Sequence, residues 1–459
     1  MIKQKLIAIL LIGSLLFFYA CRKADEVYID QDAEWLSGGQ QTFFDVTNSG
    51  FDHIFTGLTE REEENHEIGD AAFDAVFVTA PAPLNAGLGP IYNNVSCSGC
   101  HVNDGRGKPP VAGEKLSSML FRISIPGANS HGGPNPVPGY GGQFHPRAIA
   151  GKMAEGDVDI QYQLSTGQYA DGSTFQLRTP VYTITNTYTS LPSNVMLSPR
   201  IAPQVFGLGL LEAISDADIM NRADENDKDG DGISGKYNMV YDVLTNTYRL
   251  GRFGWKAGQP SLLQQSAGAY NEDMGITSFV FPLESSFGQS QYDGLNDEHE
   301  VSDSILHAVA FYMQTLGVPA RRNVNDAEVL TGKKIFNNIQ CAACHTPSHR
   351  TKVDVTFPSR SNQKIFPYTD MLLHDMGSGL ADNRPEFLAD GYEWRTPALW
   401  GIGLTKKING HEYFLHDGRA RNLEEAILWH GGEAENSNTK FKKLSLSERK
   451  ALLKLLESL

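Results

Sequence analysis

The chain has 459 residues, enough for two or three domains with their own hydrophobic cores. Hydrophobic residues make up 41% and charged residues 20%, a composition typical of folded proteins that excludes an intrinsically disordered chain. The 54 Asp and Glu outnumber the 39 Lys and Arg, and the net charge of −15 argues against nucleic acid as a partner, since phosphate binding requires a basic surface.

The N-terminus has the features of an export signal. Two lysines precede an apolar run over residues 6–19, which is too short to span a membrane. A small residue followed by Cys21 resembles the lipid-attachment box of bacterial lipoproteins. We therefore predict a signal peptide over residues 1–20, a lipid anchor on Cys21 and a tether over residues 21–50. These features predict an exported protein held at the membrane on the periplasmic side.

The other four cysteines form two C-x-x-C-H motifs. In an exported chain four cysteines could instead form two disulfides, and one such motif could be a redox dithiol. Two copies, each with an adjoining histidine, favour c-type haem, because two thiols add to the vinyl groups of one porphyrin and the histidine reaches its iron. We predict two covalently bound haems c. The attachment and proximal iron-binding residues are Cys97, Cys100, His101, Cys341, Cys344 and His345.

The sequence around the two motifs repeats. Residues 91–96 and 335–340, which precede the motifs, are similar, and so are residues 203–210 and 397–404, which follow them. Each half therefore contains a haem motif and then a Pro-led apolar Gly-x-Gly element. The distance between the two features is longer in the first half, which is predicted to be the elaborated one.

We predict a mainly α fold of two tandem cytochrome c-like haem domains, residues 51–300 and 301–459. Residues 120–205 are rich in Gly, Pro, Thr and Tyr and are expected to form long loops and short β insertions around the first haem. Apolar spacing and capping residues predict helices at 303–316, 326–336, 423–430 and 445–459.

An acidic loop follows in the first half. Asp227, Asp229 and Asp231, with Gly232 at the turn, match the start of an EF-type calcium loop, in which oxygens at alternate positions converge on one cation. Position twelve is Asn238 rather than the usual bidentate Glu. Calcium is one prediction for this loop, and a solvated acidic turn is the other.

Seven segments carry a resemblance to a known family. They are residues 207–214, 251–257, 273–278, 374–377, 393–397, 416–419 and 429–433. Over roughly residues 50–459 the chain resembles the di-haem oxidoreductases, a family also labelled peroxidases and thiol oxidoreductases. Its second half is more distantly similar to the bacterial di-haem cytochrome c peroxidases. The resemblance implies two haems and an oxidoreductase activity, with peroxidase activity as one form of it.

The resemblance also points to the second axial ligand of the second haem. In the peroxidases a histidine in an aromatic-His-x-Gly turn lies near this haem, and a methionine about fourteen residues later binds its iron. Here His416 occupies the turn and His430 takes the place of the methionine, so we predict His430 as the iron ligand. Met376 is the rival ligand, and His430 could alternatively stabilise the C-terminus of a helix. His416 is expected to support the haem pocket.

The sixth position of the first haem is not assigned by any motif. His131 and His145 lie in the long loop and could supply a ligand. An open iron could instead bind peroxide, whose cleavage needs an acid/base group. We predict Glu212 for this role, since its apolar sequence surroundings would raise its pKa, and a structural Glu near a helix end is the alternative. Further candidates are Glu114 and Arg122.

Two classes of function follow from these predictions. One is an enzyme in which one haem relays electrons and the other faces the substrate. The other is an electron carrier or redox sensor in which both irons are six-coordinate. An open coordination site distinguishes the two. In either class the predicted partner is a redox protein or a small electron donor or acceptor.

Overall fold

The computed structural model describes residues 33–111, 114–295 and 299–459. Of these residues 27% are helical and 20% lie in strands distributed over many small sheets. The predicted mainly α fold is therefore wrong, and the architecture mixes α and β elements. The predicted signal peptide and Cys21 lie outside the described residues. In the described part, no helix combines the length and the apolar character needed to cross a membrane.

The strands of the described ranges form one four-stranded sheet and six two-stranded sheets. Their bounds are β1 Thr42–Phe43, β2 Ile91–Tyr92, β3 Met119–Ala128, β4 Pro134–Asn135, β5 Gln143–Phe144, β6 Arg147–Ala148, β7 Asp157–Gln168, β8 Thr174–Thr185, β9 Met196–Ile201, β10 Met239–Asp242, β11 Thr247–Leu250, β12 Val318–Pro319, β13 His349–Arg350, β14 Lys364–Ile365, β15 Leu373–Asp375 and β16 Glu393–Arg395. In the four-stranded sheet β3 pairs antiparallel with β4, β5 and β9.

The antiparallel β7–β8 hairpin lies in the range 120–205, where short β insertions are predicted, and its strands of 12 residues each are longer than expected. In β7, half-buried Val158, Ile160 and Tyr162 alternate with exposed polar side chains, the period of a strand with one covered face. The many polar residues predict a loop when composition alone is considered. Val158 and Ile160 nevertheless pack against a buried cluster of aliphatic and aromatic side chains, and cross-strand pairs along the whole hairpin stabilise it.

The same hairpin reaches from the first half of the chain to the second. At its tip, Tyr169 donates a hydrogen bond to Glu424 at 2.8 Å, and the Arg449 guanidinium lies 3.8 Å from the centroid of the Tyr169 ring. Further along, the hydroxyl of Tyr182 donates to Asp417 at 2.8 Å. The hairpin therefore stabilises the loop that contains His416, through the hydrogen bond to the neighbouring Asp417.

The α-helices of the described ranges include the four predicted ones. Their bounds are α1 Glu60–Asp74, α2 Leu208–Glu212, α3 Asp216–Met220, α4 Leu262–Met274, α5 Asp303–Thr315, α6 Ala327–Asn338, α7 Cys341–Cys344, α8 Thr405–Asn409, α9 Leu423–Leu428, α10 Glu435–Lys443 and α11 Leu446–Ser458. Side-chain caps start the predicted helices: Ser302 for α5, Asp326 for α6, Asn422 for α9 and Ser445 for α11. These four predictions are confirmed.

The internal repeat has a structural counterpart in two helix pairs. In the first half α1 crosses α5 at Gly69, where a Cβ atom would lie 2.1 Å from the carbonyl oxygen of Ala308. In the second half α6 crosses α11 at Gly332, where a Cβ atom would lie 2.1 Å from the carbonyl oxygen of Ala451. Glycine is needed at both crossings because the backbones approach so closely. Helix α5 lies in the range predicted for the second domain, yet it packs on α1 as α11 packs on α6.

Residues 33–50, part of the predicted tether, lie against the second half of the chain. Glu34 is buried and forms an ion pair with Arg321 and another with Lys333, the latter at 2.5 Å. The backbone amide of Phe366 donates to the carbonyl oxygen of Ser37 at 2.7 Å. Strand β1 pairs in parallel with β12, so this segment forms a two-stranded sheet with the second half of the chain.

Candidate functional site

The first C-x-x-C-H motif borders a cavity of about 310 Å³, here called the first cavity. Cys97, Cys100 and His101 all line it, and both cysteines are free thiols. The Nδ1–H of His101 donates to the carbonyl oxygen of Pro203 at 2.7 Å, so the Gly-x-Gly element orients this ring. Desolvation lowers the pKa of His101 to about 4, so the imidazole is neutral at pH 7. Its Nε2 is therefore left for a metal.

The second motif borders a second cavity of about 170 Å³. Cys341 and Cys344 delimit the short helix α7, both are free thiols, and His345 follows directly. The Nδ1–H of His345 donates to the carbonyl oxygen of Tyr368 at 3.1 Å, and desolvation lowers the pKa of His345 to about 4. Both proximal candidates thus have the same orientation: a backbone carbonyl holds Nδ1, and a neutral ring borders the cavity.

His430 lies opposite His345 in the second cavity. The centroids of the two imidazole rings are 6.4 Å apart, and both rings line the cavity. Nδ1 of His430 donates to the carbonyl oxygen of Ala426 at 2.7 Å, which again leaves Nε2 free. A metal bound between two trans imidazoles at about 2 Å from each nitrogen separates the ring centroids by about 6 Å. The observed spacing would allow both histidines to hold one metal ion. Met376 lines the same cavity.

His416 is the third histidine at this cavity that the sequence analysis selects. Its ring stacks on Trp394 with centroids 3.7 Å apart and an angle of 9° between the planes. Desolvation lowers the pKa of His416 to about 4, and the nearest carboxylate oxygen, on Asp417, is 3.9 Å away. The stacking holds a neutral ring at the cavity wall.

His374 is a further site residue, which was not predicted although it belongs to the segment 374–377 that carries part of the family resemblance. It lines the second cavity, with Nε2 2.8 Å from Asp370 and Nδ1 2.6 Å from Glu433. Burial alone would lower its pKa, but the hydrogen bonds with these two carboxylates and the Cys344 thiol raise the pKa of His374 well above its usual range. The Nδ1 atom of His374 also lies 3.6 Å from the Cys344 sulfur. The signal that could have identified it is its place in the 374–377 segment, one of those that carry the family resemblance.

The loop histidines do not border the first cavity. His131 stacks on Tyr241 with ring centroids 3.9 Å apart. His145 is buried in an ion pair with Glu155 at 3.1 Å, and its other ring nitrogen is 2.7 Å from the carbonyl oxygen of Glu272. Among the described residues, His101 is the one histidine that lines the first cavity.

Glu212 also lies outside the lining of the first cavity. Its carboxylate accepts a hydrogen bond from the backbone amide of Leu262 at 2.9 Å and another from Gln314 at 2.7 Å, and it pairs with Arg360 at 3.2 Å. These contacts fix the start of α4, a helix whose later residues line the cavity. The catalytic role of Glu212 stays a prediction. Of the further candidates, Glu114 is exposed, and Arg122 lines the cavity and pairs with Glu272 at 3.6 Å.

The contacts of Glu212 lead to a prediction about stability. Glu212→Gln removes the charge that pairs with Arg360, and we expect the free energy of unfolding to fall by about 1–2 kcal/mol, since the pair is mostly shielded from water. Urea denaturation measures the change. An unchanged unfolding midpoint combined with a large loss of turnover would instead support the proton-transfer role. Glu114→Gln, at an exposed position, is the matched control.

Four residues line both cavities and therefore separate them. They are Arg106, Trp255, Arg395 and Pro397. The indole N–H of Trp255 donates to the carbonyl oxygen of Ile201 at 2.9 Å, which fixes this ring at the boundary.

The acidic loop has part of the predicted calcium-binding geometry. Carboxylate oxygens of Asp227, Asp229 and Asp231 all lie within 4.8 Å of one another. Asn238, the residue at position twelve, is buried and uses its side-chain amide to donate to the backbone oxygens of Lys256 and Glu386. The loop thus has three candidate ligands from the predicted set, and calcium stays a prediction.

Comparison with known proteins places these sites in a family. Residues 28–459, nearly the whole chain, match the family described as "Di-haem oxidoreductase, putative peroxidase". A comparison with curated proteins gave no significant match, and a comparison with solved structures gave none. The family description agrees with two cavities that each contain one C-x-x-C-H motif, and with an oxidoreductase activity. The chain therefore belongs to the di-haem oxidoreductase family.

Proposed function

We propose that the protein is an exported di-haem c-type cytochrome that acts as a peroxidase-type oxidoreductase, with the second haem as electron relay and the first facing the substrate. The observation that carries this proposal is the difference between the two cavities: three histidines besides His345 line the second, whereas His101 has no histidine opposite it in the described part of the first. Haem iron, when bound, supplies one-electron redox chemistry and, at an open position, a site for peroxide.

The donor groups of both motifs fit a covalently bound haem. Each motif offers two free thiols and a neutral histidine at the wall of one cavity, and a backbone carbonyl orients each histidine. Neutral imidazole is the form that binds iron, and a hydrogen bond from Nδ1–H to a backbone carbonyl is a usual way of fixing its tautomer.

The second cavity supports the relay role. His345 and His430 would both hold the iron of a haem in this cavity, and that iron would then pass electrons rather than bind peroxide. His374, Asp370 and Glu433 form a buried hydrogen-bonded cluster beside the attachment cysteine Cys344, and this cluster would help to fix the wall of the cavity.

The boundary between the cavities supports electron transfer from one to the other. Trp255 borders both cavities, so its ring provides a short path through protein rather than solvent. An acidic surface would suit a basic redox protein as the electron donor.

Spectra of the mature, haem-loaded protein test the division of roles. We expect one low-spin and one high-spin ferric signal by electron paramagnetic resonance, and cyanide should convert only the high-spin signal. Two low-spin haems that do not bind cyanide would contradict the proposal.

The proposal predicts two covalent haems per chain. Pyridine haemochrome assays after acid-acetone extraction should give two haems for the unmodified protein, because thioether bonds resist extraction. Cys97→Ala should disturb the first haem alone, and Cys341→Ala the second alone. Haem that is extracted or absent in the unmodified protein would contradict covalent attachment.

Export and lipidation form a separate part of the proposal. Cys21→Ser should move the protein from the membrane fraction to the soluble periplasmic fraction, because a lipid chain on this residue is the proposed anchor. Cell fractionation measures the distribution. An unchanged distribution would contradict the lipid anchor without affecting the haem assignment.

One observation favours the electron-carrier alternative. Three methionines, Met119, Met274 and Met313, line the first cavity, and thioether sulfur is a common axial ligand of c-type haem. If one of them binds the first iron, both haems are six-coordinate and the protein is a carrier or sensor. The cyanide experiment distinguishes this alternative from the peroxidase-type function.

A further inference from the structure

Arg106, at the boundary between the two cavities, is a buried cation without a carboxylate partner among the described residues. Its side chain donates to the amide oxygen of Gln204 at 3.0 Å, and the residue is only 6% exposed. The guanidinium lies 5.9 Å from the centroid of the Trp255 ring and 5.4 Å from that of Phe414. Desolvation lowers the pKa of Arg106 to about 10, so it remains charged at pH 7.

Arg395 is a second cation at the same boundary. Its Nε donates to the carbonyl oxygen of Gly254 and its Nη1 to that of Thr396, both at 3.1 Å. Within the described part of the chain it too has no ion pair with a carboxylate. Both arginines line both cavities.

The other arginines at the first cavity have ion pairs within the chain. Arg200 and Arg384 both bind Glu386, at 2.7 and 2.8 Å, and Arg122 pairs with Glu272 at 3.6 Å. A buried charge is costly unless a counter-charge accompanies it. In a chain of net charge −15, two unpaired cations beside two cavities indicate that an anionic group from outside the polypeptide completes them.

We propose that Arg106 and Arg395 form a clamp, shared by the two cavities, for the propionate carboxylates of both haems. The proposal rests on the proposed function, in which each cavity holds one haem. Guanidinium groups bind carboxylates through charge-assisted hydrogen bonds, and the planar group can hold two oxygens at once. Arg106 and Arg395 would then hold the carboxylates of both haems at the boundary between the cavities.

A shared clamp has an effect that a local structural role does not have. Each guanidinium lies close to both cavities, so its charge should favour the reduced state of both irons. Removing the charge should therefore lower the reduction potentials of both haems together. Replacing a residue that only packs within one half of the protein would change the reduction potential of at most the haem in that half.

Spectroelectrochemical titration of the haem-loaded protein tests the clamp. For Arg106→Gln and Arg395→Gln, we expect the equilibrium constant for reduction to fall about tenfold at each haem, as a unit charge removed some ten ångströms away in a medium of moderate dielectric predicts. Arg106→Lys keeps the charge and should leave both potentials close to those of the unmodified protein. Arg122→Gln is the control, because Arg122 lines the first cavity alone, and it should leave the second haem unchanged.

The outcomes separate this proposal from the proposed function. Two covalent haems with both potentials unchanged in Arg106→Gln and Arg395→Gln would overturn the clamp and leave the di-haem function standing. A shift at one haem only would overturn the shared arrangement. An equally large shift in Arg106→Lys would assign the effect to packing rather than charge and would also overturn the clamp. Absence of haem from the unmodified protein would contradict the proposed function itself.

Discussion

Replacing His430 by alanine is expected to convert the second haem from low-spin to high-spin and to leave the spectrum of the first haem unchanged. The physical reason is that two strong imidazole ligands keep ferric iron low-spin, and the spacing of 6.4 Å between the His345 and His430 rings suits such a pair. The variant should also acquire cyanide binding at the second haem. Electron paramagnetic resonance and visible spectra of the haem-loaded protein measure both effects.

Met376→Leu is the matched control for this prediction. Met376 lines the same cavity and is the rival ligand, and leucine keeps a side chain of similar volume. We expect its spectra to match those of the unmodified protein. If Met376→Leu, and not His430→Ala, produces the high-spin signal, the second iron has a His/Met pair, and its higher potential would change the direction of electron flow.

Sequence features that act locally predicted much of this structure. The C-x-x-C-H spacing selected the cysteines and histidine that line each cavity, Asp326, Asn422 and Ser445 marked the starts of three helices, and an apolar stripe predicted α5. These signals lie within short stretches of sequence, so no knowledge of the tertiary fold is needed to find them. The internal repeat predicts two related halves, which stays a prediction; the fold contains one glycine crossing of α1 with α5 and another of α6 with α11.

Features that depend on long-range contacts were not predictable in the same way. The β7–β8 hairpin is stabilised by packing against parts of the chain that composition does not identify as neighbours. Glu212 lies in an apolar stretch of sequence, yet in the fold Arg360, 148 residues away, is within 3.2 Å of its carboxylate. The fold also places His131 and His145 away from the first cavity, whereas loop position alone left them as ligand candidates.

The second large effect is expected from Asp382→Asn, which should lower the free energy of unfolding by about 3–5 kcal/mol. Asp382 and Lys256 form a fully buried ion pair with a distance of 2.8 Å. The Lys256 ammonium also donates to the carbonyl oxygens of Arg384 and Asp390 and lies 4.6 Å from the centroid of the Trp394 ring. Neutralising Asp382 leaves this cation buried without its counter-charge. Urea denaturation measures the loss.

Two controls identify the cause of that loss. The double variant Lys256→Met with Asp382→Leu removes both charges, and we expect it to be less destabilised than Asp382→Asn, because no unpaired charge remains. Lys406→Met breaks a surface pair with Glu412 and should cost no more than about 1 kcal/mol. Lys256 contacts one residue of each cavity, because Arg384 lines the first cavity and Trp394 lines the second. Asp382→Asn should therefore also broaden the spectra of both haems. If the double variant were as unstable as Asp382→Asn, packing around Lys256 and Asp382, rather than the pairing of their charges, would determine the loss in the free energy of unfolding.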